Sequence, residues 1–196
     1  MFLFFAVIAA ALVIAVLIGG DVRRLAQLRV NHIELLFAAF ACKVAIAIIG
    51  TAHTNLAVTL GRPINVLGAT LLLAVVWFNR RLPGAYIFGA GIASNLIVIL
   101  SFGGRMSVLL PSGFDPTSPA LPLLRTGLDP LHILLQHPQG LWFMGDIFTI
   151  PSLFGHSSLV SIGDLLMAAG VAWLIIRSSQ PAPAAPRPAY RATPVK

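Results

Sequence analysis

Five long apolar stretches, separated by short segments that carry most of the arginines, constrain this chain more than any other feature. They run over residues 2–18, 33–49, 64–79, 85–102 and 159–176. A bilayer core of about 30 Å is crossed by about 20 mostly apolar residues, with about 17 as the lower limit. Each stretch therefore predicts a spanning helix, the first and third with a flanking residue or two included. The first has no basic segment before it, and Arg23, Arg24 and Arg29 follow it, so it reads as a retained helix and not as a signal peptide.

Composition agrees with that reading. The 196 residues are 58% hydrophobic and 10% charged, against about 45–50% and about 25% in ordinary soluble domains. These figures exclude a soluble globular enzyme, a disordered regulator and a free nucleic-acid binder. The net charge of +7 needs another explanation, because no folded patch interleaves Lys and Arg with aromatic residues. Cytoplasmic loops collect Lys and Arg. Arg23, Arg24 and Arg29 fall between the first two stretches, Arg80 and Arg81 between the third and fourth, and Arg177, Arg187, Arg191 and Lys196 after the fifth. Arg62, Arg105 and Arg125 fall on the other side, matched by Asp115, Asp129 and Asp146. The split predicts a positive-inside frame, N-terminus out and C-terminus cytoplasmic, with Trp77, Phe78, Tyr86 and Trp173 at the inner helix ends. The single cysteine, Cys42, lies in an apolar run and reads as a small buried hydrophobe.

The fold class is thus all-α: a polytopic helical membrane protein of five transmembrane helices with a long apolar extracytoplasmic loop over residues 103–158. Residues 1–177 form the transmembrane domain. Residues 178–196, rich in Pro and Ala, read as a disordered cytoplasmic tail, because they cannot bury enough apolar surface to offset ordering. In the loop, Asp129 followed by Pro130 reads as an N-cap and first-turn pair opening a short helix from Pro130 to about His137, stopped by Pro138. Two similar phrases follow, Phe143-Met144-Gly145-Asp146-Ile147 and Ser161-Ile162-Gly163-Asp164-Leu165. In the second, Ser161 and Asp164 have the spacing of a capping box that opens the fifth helix. In the first, Asp146 reads as capping a turn.

The ordered set Asn79-Arg80-Arg81-Leu82-Pro83-Gly84, Gly103-Gly104-Arg105-Met106-Ser107-Val108 and the two Gly-Asp phrases resembles a bacterial multi-pass membrane family, domain of unknown function 5317. The likeness covers about residues 1–177. It departs from the family's usual pattern at Ser107, where members carry Pro, and at Phe102, where they carry Asn. The resemblance implies an integral protein of the bacterial inner membrane and no known activity.

Ionisable groups inside spans cost about 2.5–3.5 kcal/mol at a helix centre on insertion scales. Glu34 beside His32 reads as interfacial. Lys43, Asn95 and Asp164 sit on three helices at similar depth, Lys43 and Asn95 about 10 Å below the outer edge by helical rise, and form a candidate intramembrane polar cluster. An ion pair between Lys43 and Asp164, assisted by Asn95, is the sharp expectation; a snorkelling Lys43 is the bland one. Arg105, Asp129, His132 and Asp146 are candidate polar residues of the outer loop. His53, His132, His137 and His156 share that side, but their spacing matches no metal-binding pattern, so no metal or catalytic residue is assigned. No cofactor is indicated. Expected partners are the lipid bilayer and other membrane subunits. The small polar inventory favours an accessory or scaffold subunit of a membrane complex. The alternatives are a small-molecule or ion carrier using Lys43, Asn95 and Asp164, and a membrane enzyme working at the outer loop.

Overall fold

Long apolar runs satisfy their backbone N–H and C=O groups internally, which in practice means a helix. The computed structural model describes residues 2–112, 114, 118, 121–151 and 157–181. Among these it is mostly helical: α1 (Phe2–Leu17), α2 (Ile33–Ala52), α3 (Thr54–Phe78), α4 (Ala85–Ser101), the five-residue α5 (Leu121–Arg125) and α6 (Ile162–Ser179). Three of these, α2, α3 and α6, are long and apolar enough to cross a membrane. At 16 and 17 residues, α1 and α4 are apolar but shorter, spanning about 24 and 26 Å.

Three expectations need correction. The third helix begins at Thr54, ten residues before the apolar run, so Arg62 lies in a helix and not in a loop. Polar Thr54, Asn55, Thr59 and Arg62 hide this stretch from a hydropathy reading. Pro63, which can donate no bond to the Thr59 carbonyl, sits inside the helix without ending it. Only His53 separates α2 from α3. Its extended φ of −145° turns the chain, its N–H donates to the Ile49 carbonyl, and its own carbonyl accepts from Ala57.

The second correction concerns the loop, which is not helical over 130–137. It contains β1 (Met106–Val108) paired in parallel with β2 (His132–Leu134), and β3 (Phe148–Ile150) antiparallel to β4 (Ser158–Val160). The all-α class therefore holds for the bundle and not for the loop. Third, the last helix continues through Ser179, so residues 178 and 179 belong to the bundle. The Ser179 carbonyl accepts from the Asp21 N–H, and the Gln180 carbonyl from Arg24. Asp115, His156 and tail residues 182–196 lie outside the described residues.

Two kinds of packing hold the helices. Along the α4–α6 seam the backbones touch: a Cβ on Gly91 would run into the Gly163 carbonyl, and one on Gly163 into the Gly91 carbonyl and Asn95 Oδ1. Close approach of this sort is what small residues permit between helices. The α2–α3 hairpin instead packs through ordinary side-chain contacts, with Ala39, Ile46, Ala57 and Gly68 buried. At the end away from the loop, Asn79 ties α3 to the segment before α2. Its Oδ1 accepts from the Asn31 N–H at 2.8 Å, and its Nδ2 donates to the Asn31 carbonyl at 2.8 Å.

Candidate functional site

At the loop end of the bundle, polar side chains from separate elements meet around one cavity of about 150 Å³. Lys43 comes from α2, Asn65 from α3, Asn95 from α4, Asp164 from α6, and His132 and Asp146 from the loop. Ile99, Met106 and Leu131 complete the lining. The volume is about half the lower end of that of ordinary small-molecule sites, about 300 Å³. It suits ordered water, an ion or a solute of a few atoms.

The α6 wall is built by a local signal. The Ser161 hydroxyl accepts from the Asp164 N–H at 3.0 Å while Asp164 Oδ2 accepts from the Ser161 N–H at 3.1 Å, which is the capping box that the spacing predicted. The same two residues reach across the seam. Asn95 Nδ2 donates to Asp164 Oδ1 at 3.0 Å, and the Ser161 hydroxyl donates to Asn95 Oδ1 at 2.8 Å. Every polar atom of the Asn95 amide is thereby engaged on α6.

The opposite wall depends on how α4 ends. Gly103 and Gly104 both have positive φ, +66° and +93°, a conformation that favours glycine. Gly104 N–H returns to the Ile99 carbonyl at 2.7 Å, and its own carbonyl then accepts from Asn65 Nδ2 at 3.1 Å. Asn65 is 2% exposed, so its Oδ1 also needs a partner, and Lys43 Nζ supplies one at 2.8 Å. Lys43 is an exposed residue of α2 whose ammonium turns inward. Among the described residues, Lys43 and Asp164 form no ion pair within 4.0 Å: each faces the shared cavity while bonded to an asparagine. The direct pair expected from charge and depth is replaced by two neutral partners, because Asn65 lies closer to Lys43 than Asp164 does.

The loop wall is organised around β1. Its one edge pairs with β2 in the register Met106 to His132 and Val108 to Leu134; its other edge takes the Asp146 N–H on the Ser107 carbonyl at 2.8 Å. His132 and Asp146 thus flank the same strand, and His132 Nε2 comes within 3.8 Å of Asp146 Oδ2. Asp129 does cap, but it caps a turn: Oδ1 accepts from the N–H groups of Leu131 and His132 at 2.8 and 2.7 Å and from His132 Nδ1 at 3.0 Å. The result is an Asp129–His132–Asp146 line leading to the cavity. Arg105 is not part of it. Its guanidinium donates to the Gly127 carbonyl at 3.3 Å instead.

The electrostatics follow from burial and neighbours. Burial pushes the Asp146 carboxyl up to about 7; the His132 ring opposes this, while the Asp164 and Asp129 charges add to it. Burial lowers the basicity of His132, but the Asp129 hydrogen bond and charge and the Asp146 charge outweigh it, so the imidazole is raised above its ordinary value. Asp129 is raised by burial and lowered further by the bonds from His132 and Leu131, ending below the usual carboxylate range. The raised Asp146 carboxyl thus faces the raised His132 imidazole across 3.8 Å. Among the described residues no three His, Cys, Asp or Glu side chains are grouped to hold a metal ion.

Of the seven residues singled out in the sequence, Lys43, Asn95, Asp164, His132 and Asp146 line one cavity, Asp129 orients His132, and Arg105 points elsewhere. Asn65 was missed. The rule that picked out Asn95, a polar residue within an apolar helix, would have found it. The two Gly-Asp phrases, 18 residues apart in the chain, deliver their carboxylates to the same space.

A mostly helical chain, with three helices able to cross a membrane and a polar cavity closed by a short-stranded loop, is the class that fold and site define. The chain belongs to the Family of unknown function (DUF5317), whose model matches residues 27–176, from the segment before α2 into α6. No curated protein and no solved structure matches it.

Proposed function

We propose that this chain is an integral membrane protein of five spanning helices, α1 to α4 and α6, in a bacterial inner membrane with its N-terminus out and its C-terminus cytoplasmic, and that it is an ion carrier whose ion is the proton. One observation carries the reading. Polar side chains from four apolar helices and two titratable side chains of the loop converge on one small cavity. Charged and amide groups inside a bilayer are costly, and where they persist they mark ion pathways and proton relays. Lys43 and Asp164 supply both signs of charge, Asn65 and Asn95 supply oriented amides, and Asp129–His132–Asp146 supplies a route for protons from the loop side. The accessory-subunit reading rested on a polar inventory too small for chemistry. Gathered in one place, that inventory supports the carrier class instead.

The test is proton flux. In liposomes loaded with a pH-sensitive dye and given an inside-negative potassium diffusion potential, the protein should admit protons faster than protein-free liposomes. Asp146→Asn and Lys43→Met should each lower the rate several-fold while the proteins elute unchanged from size exclusion. Wild-type flux equal to that of empty liposomes would return the chain to the scaffold class.

A further inference from the structure

The opposite end of the bundle carries a second, unrelated pocket. Arg29 from the segment before α2 and Arg80 and Arg81 from the turn after α3 converge, with Asn31 and Asn79, on a cavity of about 230 Å³. Asn79 and Leu82 also line an adjoining apolar groove of about 210 Å³, walled by residues such as Val30, Phe88, Val171 and Leu174 of α3, α4, α6 and the segments beside them. A basic cup and an apolar trough therefore share a wall.

We propose that this pair of pockets binds one anionic phospholipid, its phosphate among Arg29, Arg80 and Arg81 and one acyl chain in the groove. Three arguments select this occupant. Guanidinium groups match phosphate oxygens in geometry as well as charge. The carboxylates near this end are already engaged: Asp21 accepts from the Arg23 N–H at 3.0 Å and Glu34 faces His32 Nδ1 at 2.9 Å. Arg24 is spoken for by the Gln180 carbonyl, whereas Arg29 and Arg81 have no hydrogen-bond or ion-pair partner among the described residues. Finally, the groove is walled almost entirely by apolar side chains, which suit an acyl chain and give no purchase to a free phosphate, and it shares Asn79 and Leu82 with the cup. Arg80 is steadied for this role. Its guanidinium lies 4.8 Å above the Trp77 ring and donates to the Trp77 carbonyl at 3.2 Å, and an interfacial tryptophan holds it at headgroup level. The Asn31–Asn79 pair fixes the distance between the segments that supply Arg29 and Arg80.

The inference rests on the membrane reading but not on the carrier reading. Lipid retention is measured by native mass spectrometry on detergent-solubilised protein titrated with phosphatidylglycerol, phosphatidylcholine or glycerol phosphate. Phosphatidylglycerol should be retained at least tenfold better than phosphatidylcholine. Each arginine contributes about fivefold at a membrane surface, so Arg80→Gln/Arg81→Gln should lose more than tenfold. Val171→Trp, which fills the groove, should also release the lipid, and Arg125→Gln at the loop end should not. Equal retention of the two lipids overturns the proposal. So does retention indifferent to Val171→Trp and competed by glycerol phosphate, which would leave a phosphate site only. Carbonate washing of vesicles reads the membrane assignment separately: protein released by carbonate overturns both, and protein that stays embedded without lipid preference overturns the lipid site alone.

Discussion

The two helix pairs that wall the polar cavity are built differently. Along α4–α6, Gly91 and Gly163 bring backbone against backbone, and Asn95, Ser161 and Asp164 close a hydrogen-bonded ring across the seam. Along α2–α3, a one-residue turn at His53 joins helices that meet through side chains, and at the cavity end the line Lys43–Asn65–Gly104 ties them to the rest of the molecule. A backbone contact has no rotamers to adjust, whereas a side-chain contact does. The cavity therefore has one fixed wall and one compliant wall, an arrangement that a site needing to open on one side would use.

Breaking the fixed wall should have the largest effect. Gly91→Leu or Gly163→Val drives a side chain into the facing carbonyl and should cost more than about 3 kcal/mol, seen as loss of monodisperse protein after extraction. Gly50→Ala and Gly68→Ala on the hairpin meet only ordinary contacts, at 3.8 Å from the Ala57 Cβ and 3.4 Å from the Cys42 Cβ. They should leave the melting temperature within about 2 °C of wild type. Similar losses on both sides would remove the distinction.

The loop wall between the two pairs should report through pH. With the Asp146 carboxyl up at about 7, the folded state keeps a proton that the unfolded chain has released above about 4, so stability falls as pH rises between those values and then levels. His132 acts in the same sense: its raised value stabilises fully below about 6.5, and that contribution is lost as pH rises through the raised value. Asp129 works oppositely. Its lowered value stabilises above about 3.8 and is lost as pH falls through it, setting the acid limit. The melting temperature should thus be several degrees higher at pH 5 than at pH 8, by a few kcal/mol at most. Asp146→Asn should flatten most of the slope; an unchanged slope would place the titration elsewhere.

The smallest effect sharpens which wall Lys43 belongs to. In double-mutant cycles on detergent stability, Lys43→Met with Asn65→Ala should show a coupling of about 1 kcal/mol, because the two are hydrogen-bonded. Lys43→Met with Asp164→Asn should couple by less than about 0.5 kcal/mol. A larger Lys43–Asp164 value would mean that charge crosses the cavity and joins the two walls.

What could be read ahead of the structure, and what could not, follows the range of the interactions. The capping box at Ser161 and Asp164 is complete within four residues, and it was legible. At Asp129-Pro130 the same local chemistry misled. A carboxylate that accepts from the second and third following N–H groups opens a helix or holds a turn equally well, and only the pairing of His132–Leu134 with Met106–Val108 selects the turn. That pairing closes a loop of more than twenty residues and leaves no periodicity in three-residue strands. The first ten residues of α3 were hidden because hydropathy detects lipid-compatible surface and not helix. Asn65 carried a visible signal; its bond to Lys43 did not, since the charge rule pointed to Asp164.

By itself the sequence determined that this chain folds as apolar helices separated by basic turns, because backbone groups in runs so apolar have no partner but one another. It also determined which few polar residues would be expensive wherever they lay. Only the tertiary structure decided that those residues share one space, because their meeting depends on the glycine contact between α4 and α6, the reversal at His53 and the strand pairing across the loop. Each of these joins residues whose local sequences carry no record of the other.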